Sequence, residues 1–339
     1  MDLGKSLSRK KINKRHLIVY LVLAVTLVLS VAVYIIARTY ARAWRTGLTL
    51  TPEAFATIMG RALPALIAMA AAAAMIAIVS LSFQTIVGSR ILTPSMIGFD
   101  AVFIGTHVAV VFMFGTQSAL LTNPYINFAM SAGSMMLVSF FMFGFILRSG
   151  RNNVIFLLMF GIVLSGIIGS GTSYLSVIMD QYELFEVNAR TNVTINNINT
   201  EIIRIAVPIL IFLTAFMMSR HRRYNVMCLG SEQAKSLGLD YEKEISINLI
   251  LIALGMSVAT AMIGSLTFLG LLAVNIGREF MKTHKHIPLF ICSAALAMIA
   301  LIMGQGISEL LLGAIPVAVI INLVGCSYVF YLILKENKL

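Results

Sequence analysis

Charge is scarce in this chain. Only 12% of its 339 residues are Asp, Glu, Lys or Arg, about half the share found in soluble domains. No polar stretch is long enough to fold as a separate soluble domain. The three cysteines, Cys228, Cys292 and Cys326, lie far apart and form no C-x-x-C pair, which excludes a disulfide framework or a cysteine-built metal site. There is no G-x-x-x-x-G-K-[ST], so ATP is not held through a P-loop, and no H-E-x-x-H. The chain therefore reads as neither an ATPase nor any other enzyme, and no cofactor is expected. Ionisable residues are also missing from the middle of the apolar runs. A charge at the bilayer centre costs about 2.5–3.5 kcal/mol on insertion scales and usually marks an ion pathway. Its absence counts against proton or sodium coupling within this chain.

What is present is apolar sequence: 59% hydrophobic residues and a mean hydropathy of +0.93. A membrane span needs roughly 20 apolar residues, and such runs recur along the whole length. The fold class expected is all-α: a polytopic membrane protein with one transmembrane domain over residues 1–339. Ten helices are placed at 17–37, 63–83, 96–115, 125–147, 153–175, 201–219, 245–263, 265–277, 288–305 and 316–334. The eighth is too short to cross a roughly 30 Å core at about 1.5 Å per residue, so it is expected to pack as a partial helix shielded from lipid. The apolar run at 17–37 is too long for a cleavable signal peptide. It reads as a first span after a basic cytosolic segment, 1–16.

The net charge of +11 does not point to nucleic acid, because the cations sit in short loops between spans. Alternating the loops from a cytosolic N-terminus places 19 Lys and Arg on the cytosolic side and 6 outside, as the positive-inside rule requires. Both termini are then cytosolic, and Arg38, Arg42 and Arg45 are the local exception. The longest outer segment, 176–200, contains Asn192 and Thr194 in a glycosylation-type triplet, a pattern that occurs often by chance. His107, inside the third helix, reads as a helix-packing residue. Runs of Ala and Gly in the spans read as close helix packing, and the 20 methionines as adaptable core filling.

One polar island interrupts the second half. Arg220, His221, Arg222 and Arg223 end a hydrophobic helix, and a loop with two short amphipathic pieces hinged by glycines follows to about Lys243. Both flanks are membrane-grade. An ordered basic loop in such a place reads as a docking surface for a cytosolic partner, so that energy enters from outside the membrane.

Four motifs then fall in one order. Gln84 precedes Arg90, Pro94 and Gly98 at the interval of a Q…N-P-L-A-x-P-x-x-L-G run. Leu229, Gly230, Ala234, Leu237 and Gly238 match L-G-x-x-x-A-x-x-L-G. Gly264, Phe268, Gly270 and Arg278 follow G-x-I-x-F-[VI]-G-L-x-x-P-H-x-x-R. Ile315, Pro316, Gly325 and Phe330 follow L-P-x-G…G-x-P-x-F. From about residue 60 onward the chain resembles the FecCD-type family, the permease subunits of iron–siderophore and cobalamin ABC importers. The departures are Ser89 and Arg90 for Asn-Pro, Val274 and Asn275 for Pro-His, and a reduced R-x-P-R run at Arg61 and Pro64. They are similar to those of permeases that pair with a second, different permease.

The resemblance implies a type II ABC importer permease in a bacterial cell membrane, working by alternating access. Two permease chains would line one pathway, with a heterodimer favoured over a homodimer. Two ATPase subunits would dock below, and an extracytoplasmic binding protein would deliver a ferric siderophore that stays chelated. The coupling loop, 220–243, would present Gly230, Ser231, Glu232, Ala234, Lys235, Leu237 and Gly238 to the ATPase. Within it Ser231 is expected to cap a short helix, Gly238 to end it, and a small exposed Ala234 to fit a cleft on the partner. Arg61 would meet a carboxylate of the binding protein. Thr267 and Asn275 are the polar pathway candidates, with packing or capping as the alternative for each. Cobalamin, haem or a metal ion remain open as cargo, and an ion-coupled secondary transporter remains the reading from another class.

Overall fold

The computed structural model describes residues 2–46, 52–148, 154–193 and 199–336. Fourteen α-helices follow one another along them: α1 Asp2–Thr46, α2 Pro52–Val87, α3 Phe99–Phe114, α4 Ala119–Thr122, α5 Pro124–Arg148, α6 Val154–Ile178, α7 Gln181–Thr191, α8 Thr200–Ser219, α9 His221–Met227, α10 Ser231–Ser236, α11 Tyr241–Ile263, α12 Leu269–Met281, α13 His286–Leu310 and α14 Val317–Glu336. A 3-10 turn, Pro94–Ile97, leads into α3. There is no strand among the described residues. Thr194, which completes the glycosylation-type triplet, and the basic residues Arg151 and Lys338 lie outside them.

Each of the ten expected spans has its helix. Among the described residues seven helices are long and apolar enough to cross a membrane, and two shorter apolar ones, Phe99–Phe114 and Val317–Leu332, accompany them. The bundle is turned inside out relative to a soluble protein. Leu21, Val25, Val28, Phe141, Val163, Phe212 and Leu323 are exposed, an apolar surface suited to lipid or to another subunit. The backbone is satisfied almost entirely within helices, as a medium without water demands.

The core is built on α2. Ala68, Ala72, Ala73 and Ala77 are fully buried on it, and their short side chains let α11, α12 and α13 lie close against it. Two glycines complete the fit. A Cβ on Gly255 would stand 2.0 Å from Met75 Cε, and one on Gly270 would stand 2.0 Å from Ser80 Oγ. α1 covers α13, with Gly306 against the backbone of Tyr34. A smaller cluster of Val108, Val111, Leu121, Met179 and Val187 joins α3 and α4 to the α6–α7 segment. There Arg190 Nη1 donates to the carbonyl of Leu121 at 2.6 Å.

Three differences from the sequence reading have physical causes. The eighth helix lies four residues further on, at 269–281, because Gly264 has a φ of 93° and packs on the backbone of Val193. Residues 264–268 therefore form an elbow, although Leu266 and Phe268 read as helix by hydropathy alone. α12 is about 20 Å long, so it is short and buried as expected. The segment 181–191 is helical; Asp180 and Glu183 form a reciprocal capping box at its start. Finally, Asp100, which the sequence puts near the cytosolic start of the third helix, is tied to the elbow. Its Oδ2 accepts from Thr267 Oγ1 at 2.6 Å, which places the carboxylate against the elbow, about one α12 length from the end where α12 stops.

Candidate coupling and pathway sites

The basic end of the bundle is where α8 stops and α11 begins. Arg220 and Arg223 both reach Glu244, in the first turn of α11. Glu244 is 7% exposed and Arg220 11%, while Arg223 is half exposed. Two charge-assisted contacts on one nearly buried carboxylate tie the α8–α9 junction to α11. One turn further along α11, Asn248 Oδ1 accepts from Tyr224 Oη at 2.7 Å, and Asn248 Nδ2 donates to the Glu244 carbonyl at 2.8 Å. Burial pushes the Tyr224 phenol up to about 12. It therefore stays protonated, and remains a donor, throughout the physiological range.

His286 opens α13 and extends this network. Its backbone N–H and its Nδ1 donate to Asn225 Oδ1 at 2.9 and 2.8 Å, and its Nε2 lies 2.9 Å from Thr85 Oγ1. The ring stacks on Tyr224 at 5.6 Å between centroids, and Phe290 meets Tyr224 edge-on at the same distance. So α9 is fastened to α2, α11 and α13 at once. None of Thr85, Tyr224, Asn225, Glu244, Asn248 or His286 was singled out by sequence. A usable signal existed in Glu244 and Asn248, an i,i+4 polar pair at the head of an apolar helix, with a basic run about twenty residues before it.

α10 projects from that anchorage. Gly230, at φ 97°, is its N-cap, and Gly238, at φ 80°, follows its C-cap Leu237. The N–H of Gly238 donates to the Lys235 carbonyl at 2.9 Å and that of Leu239 to the Ala234 carbonyl at 3.1 Å, the paired bonds of a Schellman ending. Gly238 thus ends the helix as expected. Two expectations are corrected. Ser231 is the first helical residue and caps nothing; the cap position belongs to Gly230, whose backbone angles a side chain would resist. Ala234 is not exposed but has 0% exposure, because a six-residue helix must turn one face onto its support and the alanine is on that face. The exposed apolar group is Leu237, at 64%, with Leu229 at 52%. Ser231, Glu232 and Lys235 are exposed as well, and Lys235 pairs with Glu242 at 3.2 Å.

The two pathway candidates have structural partners. Thr267 is bound to Asp100, as described. Asn275 is buried, and its Nδ2 donates to the carbonyls of Arg90 at 2.9 Å and Leu271 at 3.0 Å. Gln84 Nε2 donates to the same Arg90 carbonyl at 3.0 Å. The first and third sequence motifs therefore meet on one backbone oxygen, and Asn275, standing where Pro-His would end, still supplies a donor. Arg61 is exposed on α2 at the opposite end of the bundle, and His107 is buried with Nδ1 2.9 Å from the Phe103 carbonyl. Among the described residues no group of three His, Cys, Asp or Glu could hold a metal ion.

A bundle of apolar helices with a buried partial helix and a small anchored helix at its basic end is the architecture of a membrane permease. The chain matches the FecCD transport family over residues 17–335 and belongs to it. It is 37% identical over 264 residues to the petrobactin import system permease protein YclO of Bacillus subtilis, covering 78% of this chain and 84% of that one. It is 26% identical over 295 residues to the petrobactin import system permease protein FatC of Bacillus anthracis, covering 84% and 81%. The fold superimposes with a TM-score of 0.75 on a metal-chelate type ABC transporter solved in an inward-facing conformation, at 18% identity and covering 94% of this chain and 99% of that one.

Proposed function

We propose that the chain is the membrane permease of an ATP-driven importer of ferric siderophores, with petrobactin the first cargo to test because two relatives are named for it. ATP hydrolysis resides on a separate ATPase subunit, and α10 is the contact through which its closure is felt. The observation that carries this reading is the pairing of an exposed Leu237 with a rigid support: the docking residue is free, while α9 behind it is bound into α2, α11 and α13. Gly230, Ser231, Glu232, Lys235 and Gly238 frame the contact. Ala234 serves it from beneath, by seating the helix. On this reading both termini and α10 are cytosolic, and Arg61 faces a carboxylate of an extracytoplasmic binding protein.

A second permease chain completes the pathway. α6 supports this: Gly166 and Gly169, three residues apart on one side of the helix, have nothing within 4 Å of a Cβ, so a close-packing face is left uncovered. The departures at Ser89, Arg90, Val274 and Asn275 favour a different chain over a second copy. Thr267 and Asn275 act on the pathway by holding the elbow and the 88–93 loop in place.

Uptake of radioiron-loaded petrobactin is the test, in cells carrying this chain with its ATPase, partner permease and binding protein. Leu237→Asp leaves the fold untouched and is expected to reduce uptake about tenfold or more, the scale of a lost interface hot spot, at unchanged membrane abundance. Gly238→Pro removes a hydrogen-bonded N–H and demands a negative φ where +80° is found, so it should abolish uptake. Normal transport by Leu237→Asp would end the docking assignment. Uptake that persists without the ATPase would make the chain a secondary transporter, and uptake of cobalamin, haem or free metal in place of petrobactin would change the cargo.

A further inference from the structure

Beside the coupling and pathway sites, and sharing Thr85, Asn275 and His286 with them, lies a cavity of about 630 Å³. The ends of α2 and α12, the start of α13 and the last turns of α14 form its walls. Three permanent cations line it, Arg90, Arg278 and Lys282, against one carboxylate, Glu279. Arg90 and Arg278 are near enough to repel each other. No ion pair among the described residues engages any of the three cations.

Unpartnered polar atoms collect in the same walls. Arg278 Nε, Tyr328 Oη and Gln84 Oε1 are all buried without a hydrogen-bond partner, and all three residues line the cavity. A buried donor left unpaired costs about 1–3 kcal/mol, more when it is charged, so such atoms are normally rare. These atoms are closed off from the open space, so what the cavity presents to a ligand is its three cations. An anion with several oxygens in the cavity would pair with Arg90, Arg278 and Lys282 and relieve the repulsion between the arginines. Guanidinium groups suit the oxygens of a phosphate in particular.

We propose that this cavity binds a phosphate-bearing anion, held by Arg90, Arg278 and Lys282. Two sources share that chemistry: the headgroup of an anionic phospholipid and free phosphate. Leu81, Leu289 and Leu332 supply an apolar wall, and α14 exposes Leu323, Phe330 and Tyr331 on its outside, as a lipid site between helices would have. The inference is independent of the cargo and of the ATPase contact.

The full chain, purified in detergent with the subunits that accompany it, allows both sources to be tested. In the first arm, native mass spectrometry compares retention of phosphatidylglycerol with that of phosphatidylcholine. In the second, the melting temperature is followed with inorganic phosphate. The wild type is expected to prefer phosphatidylglycerol by about tenfold, or to be stabilised by phosphate, and the responding arm names the source. Arg278→Gln should remove the response, as should Arg90→Gln, whose exposed side chain is not needed for folding. Arg204→Gln, exposed at the other end of the bundle, should keep it. No response in either arm, or one that Arg90→Gln and Arg278→Gln leave intact, overturns the proposal.

Discussion

Glu244→Ala is expected to lower the stability of the bundle by about 3–5 kcal/mol, the usual loss when one partner of a buried ion pair is removed. The carboxylate is 7% exposed and meets both Arg220 and Arg223. Without it Arg220, itself 11% exposed, keeps its charge in a place that water barely reaches, and its Nε already has no hydrogen-bond partner. Arg223 can turn to solvent and loses less. Thermal unfolding of the purified protein, or its abundance in membranes, gives the readout. The double variant Glu244→Leu with Arg220→Met removes both charges and should recover most of the loss, since an apolar replacement of a buried pair is often neutral or better. If Glu244→Ala melts with the wild type, the clasp is a surface contact and α9 is not anchored as described.

Gly270→Val is expected to cost roughly 3 kcal/mol, the upper part of the range for overpacking a tight core. The first carbon of any side chain there would lie 2.0 Å from Ser80 Oγ, 2.8 Å from Ser80 Cβ and 3.2 Å from the Ile76 carbonyl. The serine can rotate, but its Cβ and the carbonyl cannot leave without moving α2. Gly171→Val, at a position of α6 where a Cβ would meet nothing within 4 Å, makes the contrast: it should leave the melting temperature of the isolated chain unchanged. Equal melting of Gly270→Val and wild type would mean that α12 does not lie against α2 as closely as the fold places it.

The spans were legible because each needs a long apolar run and little else. Their boundaries were not, since Leu266 and Phe268 suit an elbow or a helix equally well and only the backbone at Gly264 decides. The capping box of α7 could have been read from Asp180 and Glu183, but the surrounding Asn and Thr make the segment look like a loop. At the basic end, the glycines that bound α10 were readable, because positive φ leaves few other choices. The side on which α10 packs was not, and so Ala234, expected to be exposed, is buried, while Leu237 alone carries the exposed apolar contact of the helix. The links from Glu244, Asn248 and His286 join residues from 20 to 200 positions apart, a proximity that no periodicity encodes.

The elbow at 264–268 has an electrical consequence. A helix carries about half an elementary positive charge at its N-terminus whatever its length. α12 begins inside the bundle, with Leu269, Gly270 and Leu271 buried, and its first turn has no side-chain cap. Thr267, the residue just ahead of its N-cap Phe268, holds Asp100 at 2.6 Å. The elbow itself therefore holds the acidic side chain that lies beside the start of α12. Asn at position 100 would still offer Thr267 an oxygen to donate to, so both the elbow and the field at the start of α12 would survive that change.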